Sequence, residues 1–384
     1  MNKKVQKIIL VAAFFLILAA LPILTFLNLP QGENPISENE NRPLAKFPQI
    51  TAETVFDKSA MTGFEDWFND RFYGREDWIR AKNATERLLG KVEINGVYTV
   101  GDQMMQAWEG FDPEFIEKNL DAVNRFTERH SDVPVYFLLA PTSQEIYANL
   151  LPKSAPIGSQ SELNSFCRER LSCTVIDVFH ALKSNADSYI YYRTDHHWTS
   201  YGAYIAYTEA AKSLGFQSEP LSSFHIEHAS SDFRGTLYSR TLDLGVTPDV
   251  IDYYHFNEAA APRTLTINTG TEVKEYDTLY MREYLEVKDK YSSFLGENSP
   301  MMTITSEKSP NGQSLLIFKD SYAHAMIPFL ANHYSKITVL DLRYFNVGYQ
   351  TLVNVEDYDG VLFLFNSITF SDEAHIRKLN LNRG

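Results

Sequence analysis

The chain holds only two cysteines, Cys167 and Cys173, in 384 residues. That excludes a thiolate metal cage, which needs further cysteine ligands, and a disulfide-stapled scaffold. It leaves open a local bridge or two free thiols. Positive charge is also short. Against 49 Asp and Glu stand 35 Lys and Arg, for a formal net charge of −14. So acidic a surface repels phosphate backbones and anionic headgroups, which rules against nucleic acid as a partner. Beyond the N-terminal region there is no second long apolar run, which excludes a multi-pass channel or transporter. Internal repeats and low-complexity tracts are also lacking.

What is abundant is core material. The sequence is 44% hydrophobic, with 22 Tyr and 25 Phe, enough for one large domain or two ordinary ones. Lys3, Lys4 and Lys7 precede an apolar run from Ile8 to Leu27, broken by Pro22 and Thr25. About twenty apolar residues in a helix span a bilayer core of about 30 Å. Lysines on the near side only put the N-terminus in the cytoplasm and the rest outside. A cleaved signal peptide, with Ala19 and Ala20 near the cut, is the rival reading. Continuation of the run to Leu27 favours a retained anchor.

This divides the chain into a cytoplasmic tip and anchor (1–30), a linker with a helical segment (31–110), and a larger α/β domain (111–384). Gln31–Lys46 is polar and reads as linker. Phe64, Trp67, Phe68 and Phe72 recur at helical spacing, which predicts an amphipathic helix over Ala52–Arg71, continued in helical style through Trp78–Leu89. Val97–Val100 reads as a short strand. Asp112-Pro113 reads as an N-cap and first helical residue. Strands over 133–140, 173–179, 314–318, 337–342 and 361–365 alternate with helices over 161–171, 199–211 and 322–333. That alternation indicates an α/β fold with a largely parallel sheet. Residues 221–311 break the rhythm and read as a β-rich insertion.

Two segments carry chemistry. The apolar strand Leu315–Phe318 runs into Lys319-Asp320-Ser321-Tyr322 and then a helix. A serine there stands at the carboxyl edge of a sheet, where ligands bind. The unpaired N–H groups of the helix start face a developing oxyanion. Ser321 alone is equally an N-cap, and a serine nucleophile needs a base. The second segment, Asp195-His196-His197-Trp198-Thr199, supplies one: His197 as base with Asp195 orienting its far nitrogen. A solvated histidine pair and a metal site are the competing readings. Nothing beside the pair provides a third ligand, so no metal and no cofactor are expected. Asn366, ending the 361–365 strand, and Asn298 are candidate second oxyanion donors, or organisers of turns. Arg343 follows a strand and can face the cleft. Trp198, Tyr192 and Tyr201 surround the base as sugar platforms or as core.

The run Tyr192-Arg193-Thr194-Asp195-His196-His197-Trp198-Thr199 with Gly202-Ala203 resembles the signature of the DHHW proteins, which are similar to the alginate O-acetylation proteins. Weaker matches are Asn39-Glu40-Asn41-Arg42-Pro43-Leu44 followed by Phe47-Pro48, Phe64–Arg75, Phe233–Tyr238, Phe294–Asn298 and Asp341–Phe345. The resemblance implies an SGNH hydrolase-like (flavodoxin-like, three-layer) domain, circularly permuted so that Asp195 and His197 precede Ser321. It implies acetyl transfer to a cell-surface or secreted polysaccharide through an acyl-serine. A membrane-bound O-acyltransferase would deliver the acetyl group. An esterase with the same site and a non-catalytic glycan-binding protein are the alternatives. Lys319 stands where the wider SGNH pattern has glycine, which points to altered oxyanion geometry or substrate charge preference.

Overall fold

A computed structural model describes residues 3–30, 35–37, 42–256, 263–306 and 312–381. Asn39, Glu40 and Asn41 of the post-anchor match lie outside the described residues. The chain divides into two compact units, residues 1–94 with 239–243, and residues 95–238 with 244–384.

In the first unit the apolar run forms one helix, Lys3–Leu27, long and apolar enough to cross a membrane at a mean hydropathy of 2.9. The expected single helix over 52–71 is two helices, Ala52–Phe56 and Ser59–Arg71. The break falls at Lys58, whose φ of 67° is left-handed and cannot continue a right-handed helix. Gly74, also left-handed, turns the chain into the helix Arg75–Leu88. Phe64, Trp67, Phe68 and Phe72 form the expected apolar stripe, and Phe26 packs on Trp67 and Phe68.

The second unit is built on one eight-stranded mixed sheet. Its strands in chain order are β1 (Val135–Ala140), β2 (Thr174–Ile176), β3 (Arg263–Asn268), β4 (Val273–Tyr276), β5 (Met301–Ser306), β6 (Ser314–Lys319), β7 (Lys336–Leu340) and β8 (Gly360–Asn366). Their spatial order is β4-β3-β5-β7-β6-β8-β1-β2. β7, β6, β8, β1 and β2 run parallel. β5, β3 and β4 extend the sheet antiparallel. Three strands of the 221–311 stretch, read from sequence as a β-rich insertion, complete the main sheet. Two further strands among the described residues of that stretch, Phe224–Phe233 and Asp249–Phe256, pair with each other.

Alternate residues of the central strands enter two different cores. Leu315, Ile317, Leu362 and Leu364 face the helices Ser200–Leu214 and Ala323–Leu330, through Ala203, Ala206, Met326 and Ile327. Leu316, Phe318, Val361 and Phe363 face the helices Pro113–Arg129 and Gln160–Arg170, through Ile116, Leu120, Phe126 and Leu163. Strands covered on both faces read as continuous apolar runs, which is why they were visible in sequence. Asp112 and Thr199 cap their helices, and Gly215 ends the second in a left-handed turn. Cys167 and Cys173 are free thiols, which burial pushes up to about 12 and about 11.

Candidate active site

β6 brings the chain to the carboxyl edge of the sheet, and Asp320–Tyr322 turns it into the helix Ala323–Leu330. Asp320 holds that turn. Its Oδ1 accepts the Tyr322 N–H at 2.9 Å, and its Oδ2 accepts the N–H and side-chain Nδ2 of Asn366, each at 2.7 Å, at the end of neighbouring β8. Burial pushes the Asp320 carboxyl up. Ser321 is half-buried. Its carbonyl accepts the His324 N–H at 3.2 Å and the Tyr291 hydroxyl at 3.0 Å. Its own N–H meets no acceptor among the described residues.

The second segment forms a tight loop. A single bridge joins Tyr191 to Trp198, and the Tyr192 N–H reaches the His197 carbonyl at 3.2 Å. Two acceptors fix the loop. Asp249, fully buried, accepts the N–H groups of Arg193 (2.7 Å) and Thr194 (2.8 Å) and the hydroxyls of Tyr189 and Thr194 (2.5 Å each). Asp195 Oδ2 accepts the N–H (2.8 Å) and hydroxyl (3.0 Å) of Thr236. Gly235 makes that approach possible, since a Cβ there would lie 2.3 Å from the Asp195 side chain. Asp195 Oδ1 accepts the His197 N–H at 3.0 Å and lies 2.6 Å from its Nδ1.

His197 Nε2 lies 2.7 Å from Ser321 Oγ. A carboxylate at Nδ1 assigns the ring proton to that nitrogen, which leaves the Nε2 lone pair for the serine hydroxyl. Burial alone would raise the Asp195 carboxyl. Its neighbours His196 and His197 and the Thr236 amide instead hold it well below the usual carboxylate range. It therefore remains an anion next to the imidazole. Chemically, the series Asp195–His197–Ser321 can take a proton from Oγ and hold the resulting imidazolium.

Behind the turn lies a second polar cluster that the sequence did not reveal. Pairing of Phe318 with Leu340 sets Lys319 beside Asp341. The buried Lys319 ammonium reaches Asp341 Oδ2 at 3.0 Å, Asn298 Oδ1 at 2.5 Å and His324 Nε2 at 2.8 Å. All three of its protons are engaged. His324 Nδ1 donates to the Phe294 carbonyl at 3.0 Å. Burial and then Lys319 hold this imidazole well below its ordinary value, so it stays neutral. Arg343 binds the same carboxylate through both ends, at 2.9 and 2.7 Å.

These contacts revise several candidate roles. Asn366 is no free oxyanion donor, because its Nδ2 is shared between Asp320 and Thr369 (2.8 Å) while its Oδ1 caps the helix Ser367–Asp372. Asn298 accepts from Lys319 through Oδ1, which leaves its Nδ2 as a donor, and Arg343 is clamped to Asp341. Trp198 is fully buried, with its indole N–H on the Tyr322 carbonyl at 3.0 Å, and so cannot meet a sugar face. Tyr192 is fully buried as well. Lys319, enclosed, presents no charge to a substrate. Ligand atoms of Asp195, His196 and His197 lie within 4.8 Å of one another. The closest of them are already used in hydrogen bonds, between Asp195 and His197 and between His196 Nδ1 and Thr236 Oγ1 (2.7 Å).

Residues 160–340 match the model of the DHHW protein family. A DHHW family protein from Eubacterium siraeum has a similar structure, with 25% identity over 76% of this chain and 98% of its own and a TM-score of 0.66. PatB1 of Bacillus cereus, solved with a sulfonyl adduct, shares the fold at 20% identity over 76% of this chain and 100% of its own, TM-score 0.64. The O-acetyltransferase domain of Pseudomonas putida AlgJ is more distant, at 14% identity, 72% and 93% coverage and a TM-score of 0.44. No curated protein matches the chain. The DHHW resemblance carried by residues 192–203 therefore holds.

Proposed function

We propose that this chain is an extracytoplasmic O-acetyltransferase that passes an acetyl group through Ser321 to a hydroxyl of a cell-surface or secreted polysaccharide. The observation that carries the reading is the 2.7 Å approach of His197 Nε2 to Ser321 Oγ, with Asp195 2.6 Å from the opposite ring nitrogen. On this reading the sheet is a permuted SGNH hydrolase-like core, and the helix Lys3–Leu27 is a retained anchor with its N-terminus in the cytoplasm.

Ser321 Oγ attacks the donor's acetyl carbonyl while His197 Nε2 takes the serine proton. The Ser321 N–H, which meets no acceptor among the described residues, is on this reading a donor to the oxyanion. As the bond from carbonyl carbon to leaving oxygen breaks, the imidazolium returns its proton to the leaving group. In the second half a glycan hydroxyl gives its proton to His197 and attacks acetyl-Ser321. The serine recovers the proton on departure. The overall change is ester exchange, with no oxidant and no net proton. Acetyl-coenzyme A is cytoplasmic, so the donor on this side of the membrane is one supplied by a membrane-bound O-acyltransferase.

The test uses the full chain in detergent or nanodiscs with a chromogenic acetyl ester and an oligosaccharide acceptor. The proposal expects acetylated Ser321 on rapid quenching and acetyl esters on the sugar. Acetate as sole product, with every acceptor tried, would make the chain an esterase. Absence of any acyl-serine would remove the catalytic reading.

A further inference from the structure

Tyr291 belongs to the 221–311 stretch, carries no motif and is buried, 4% exposed. Its ring lies flat on the His197 imidazole, with centroids 3.7 Å apart and planes within 6°. Its hydroxyl donates to the Ser321 carbonyl at 3.0 Å. One side chain thus touches both the base and the backbone of the nucleophile, closing a ring of contacts with the 2.7 Å bond from Nε2 to Oγ. We infer that Tyr291 is a positioning residue that fixes the imidazole against Ser321 and stabilises its cationic form through the aromatic face. The inference rests on the acyl-serine reading above and deepens it.

Two physical effects follow from the geometry. First, the imidazole cannot tilt about its side-chain bond without driving the Tyr291 ring away. That ring is held at its far end by the hydroxyl bond and at its side by Phe294 (centroids 5.4 Å apart). A base held in attack geometry saves orientation entropy at each turnover. Second, the negative face of an aromatic ring attracts a cation lying over it, the more so where water is excluded. The neutral imidazole gains less than the imidazolium that forms as Ser321 attacks. The stack therefore favours the charge-separated state over the resting one, which is the condition for accelerating a step.

Other titratable groups surround the imidazole: Tyr192, Asp195 and His196 on its own loop, Asp289 beside Tyr291, and Asp320, Tyr322 and His324 on the nucleophile turn and helix. All stay in place if only the ring at 291 changes. This allows a test that leaves shape nearly constant. The rate at which a fluorophosphonate labels Ser321 is followed against pH in the full-length protein, for wild type, Tyr291→Phe, and a variant with ring-trifluorinated phenylalanine at 291. Tyr291→Phe keeps the face and loses the hydroxyl bond, so labelling should fall only about 2- to 5-fold with the acid limb unmoved. Trifluorination removes most of the negative face. The acid limb should then move towards lower pH, because a less stabilised imidazolium releases its proton sooner, and the plateau should drop further. Equal pH profiles and plateaus for the two phenylalanine variants would overturn the inference and leave Tyr291 as packing. Wild-type protein with no Ser321 labelling at any pH would instead overturn the nucleophile reading and this inference with it.

Discussion

Two polar clusters flank the Ser321 turn, and they are wired differently. On one side Lys319, His324, Asn298, Asp341 and Arg343 form a closed set. The ammonium has three partners, the carboxylate receives two cations, and the neutral imidazole is bonded at both nitrogens. On the other side Asp195 and His197 are equally buried, but their series ends on a half-buried hydroxyl beside an amide that meets no acceptor among the described residues. A saturated cluster resists any change of charge, whereas an open-ended one can pass a proton to something that arrives from solvent. The contrast separates scaffold from reactive site more sharply than residue type does, since each cluster has a buried histidine next to an Asp or Lys.

The contrast can be broken most severely at its open end. Ser321→Ala should lower acyl-enzyme formation by at least about 10⁴-fold with little change in melting temperature, and Asp195→Asn by about 10³- to 10⁴-fold. Rapid-quench mass spectrometry reads both. Next in size is Gly235→Ala. The added methyl must displace Asp195 or the backbone at 235, and a shift of about 1 Å in a catalytic group costs about 10²-fold. Ester turnover with binding unchanged is the expected signature.

At the closed cluster the same kind of change should appear as stability. Lys319→Met leaves Asp341 with Arg343 alone and removes the donor from His324 and Asn298. Breaking one partner out of a buried set costs about 3–5 kcal/mol, to be read by denaturant unfolding. Labelling of Ser321 at low temperature should persist. A smaller effect is expected for Asn366→Ala, about 1–2 kcal/mol from the lost helix cap, with Ser321 labelling within about 5-fold of wild type because the one lost bond to the Asp320 turn is worth only about 1 kcal/mol. A loss of about 10²-fold there would restore Asn366 as an oxyanion donor.

The smallest effect concerns pH. The Asp195 carboxyl is held below its ordinary 3.8 in the folded protein. In acid the unfolded chain therefore binds the proton first. The stabilisation is complete above about pH 4 and is lost as pH falls through the depressed value. Asp195→Asn should flatten that part of the unfolding free-energy profile.

Much of this was legible in residues, and the remainder was hidden for definable reasons. Leu315–Phe318 and Val361–Phe365 announced themselves because strands buried on both faces need unbroken apolar side chains. Asp112 announced a helix start because the backbone groups there need partners. The Asp195-His196-His197-Trp198 run carried the family resemblance. Gly235 lay within a weak match, but its reason, contact with Asp195 across forty residues of sequence, is purely tertiary. The same holds for Asp249, which braces the loop from a strand of the presumed insertion, and for Tyr291. Lys319 was misjudged because a lysine at a strand end normally reaches solvent, and only the β6–β7 register shows that Asp341 encloses it. Trp198 stood open between sugar platform and core because an aromatic beside a site looks alike in sequence in either case.

The most direct test of the central claim is mass-spectrometric mapping of a sulfonyl fluoride or fluorophosphonate adduct on the intact protein, alongside His197→Ala and Lys319→Met at a temperature where all are folded. The account predicts one adduct, on Ser321, lost by at least about 10³-fold without His197 and retained without Lys319. An adduct that forms equally fast without His197, or none on Ser321 in folded wild-type protein, would contradict it.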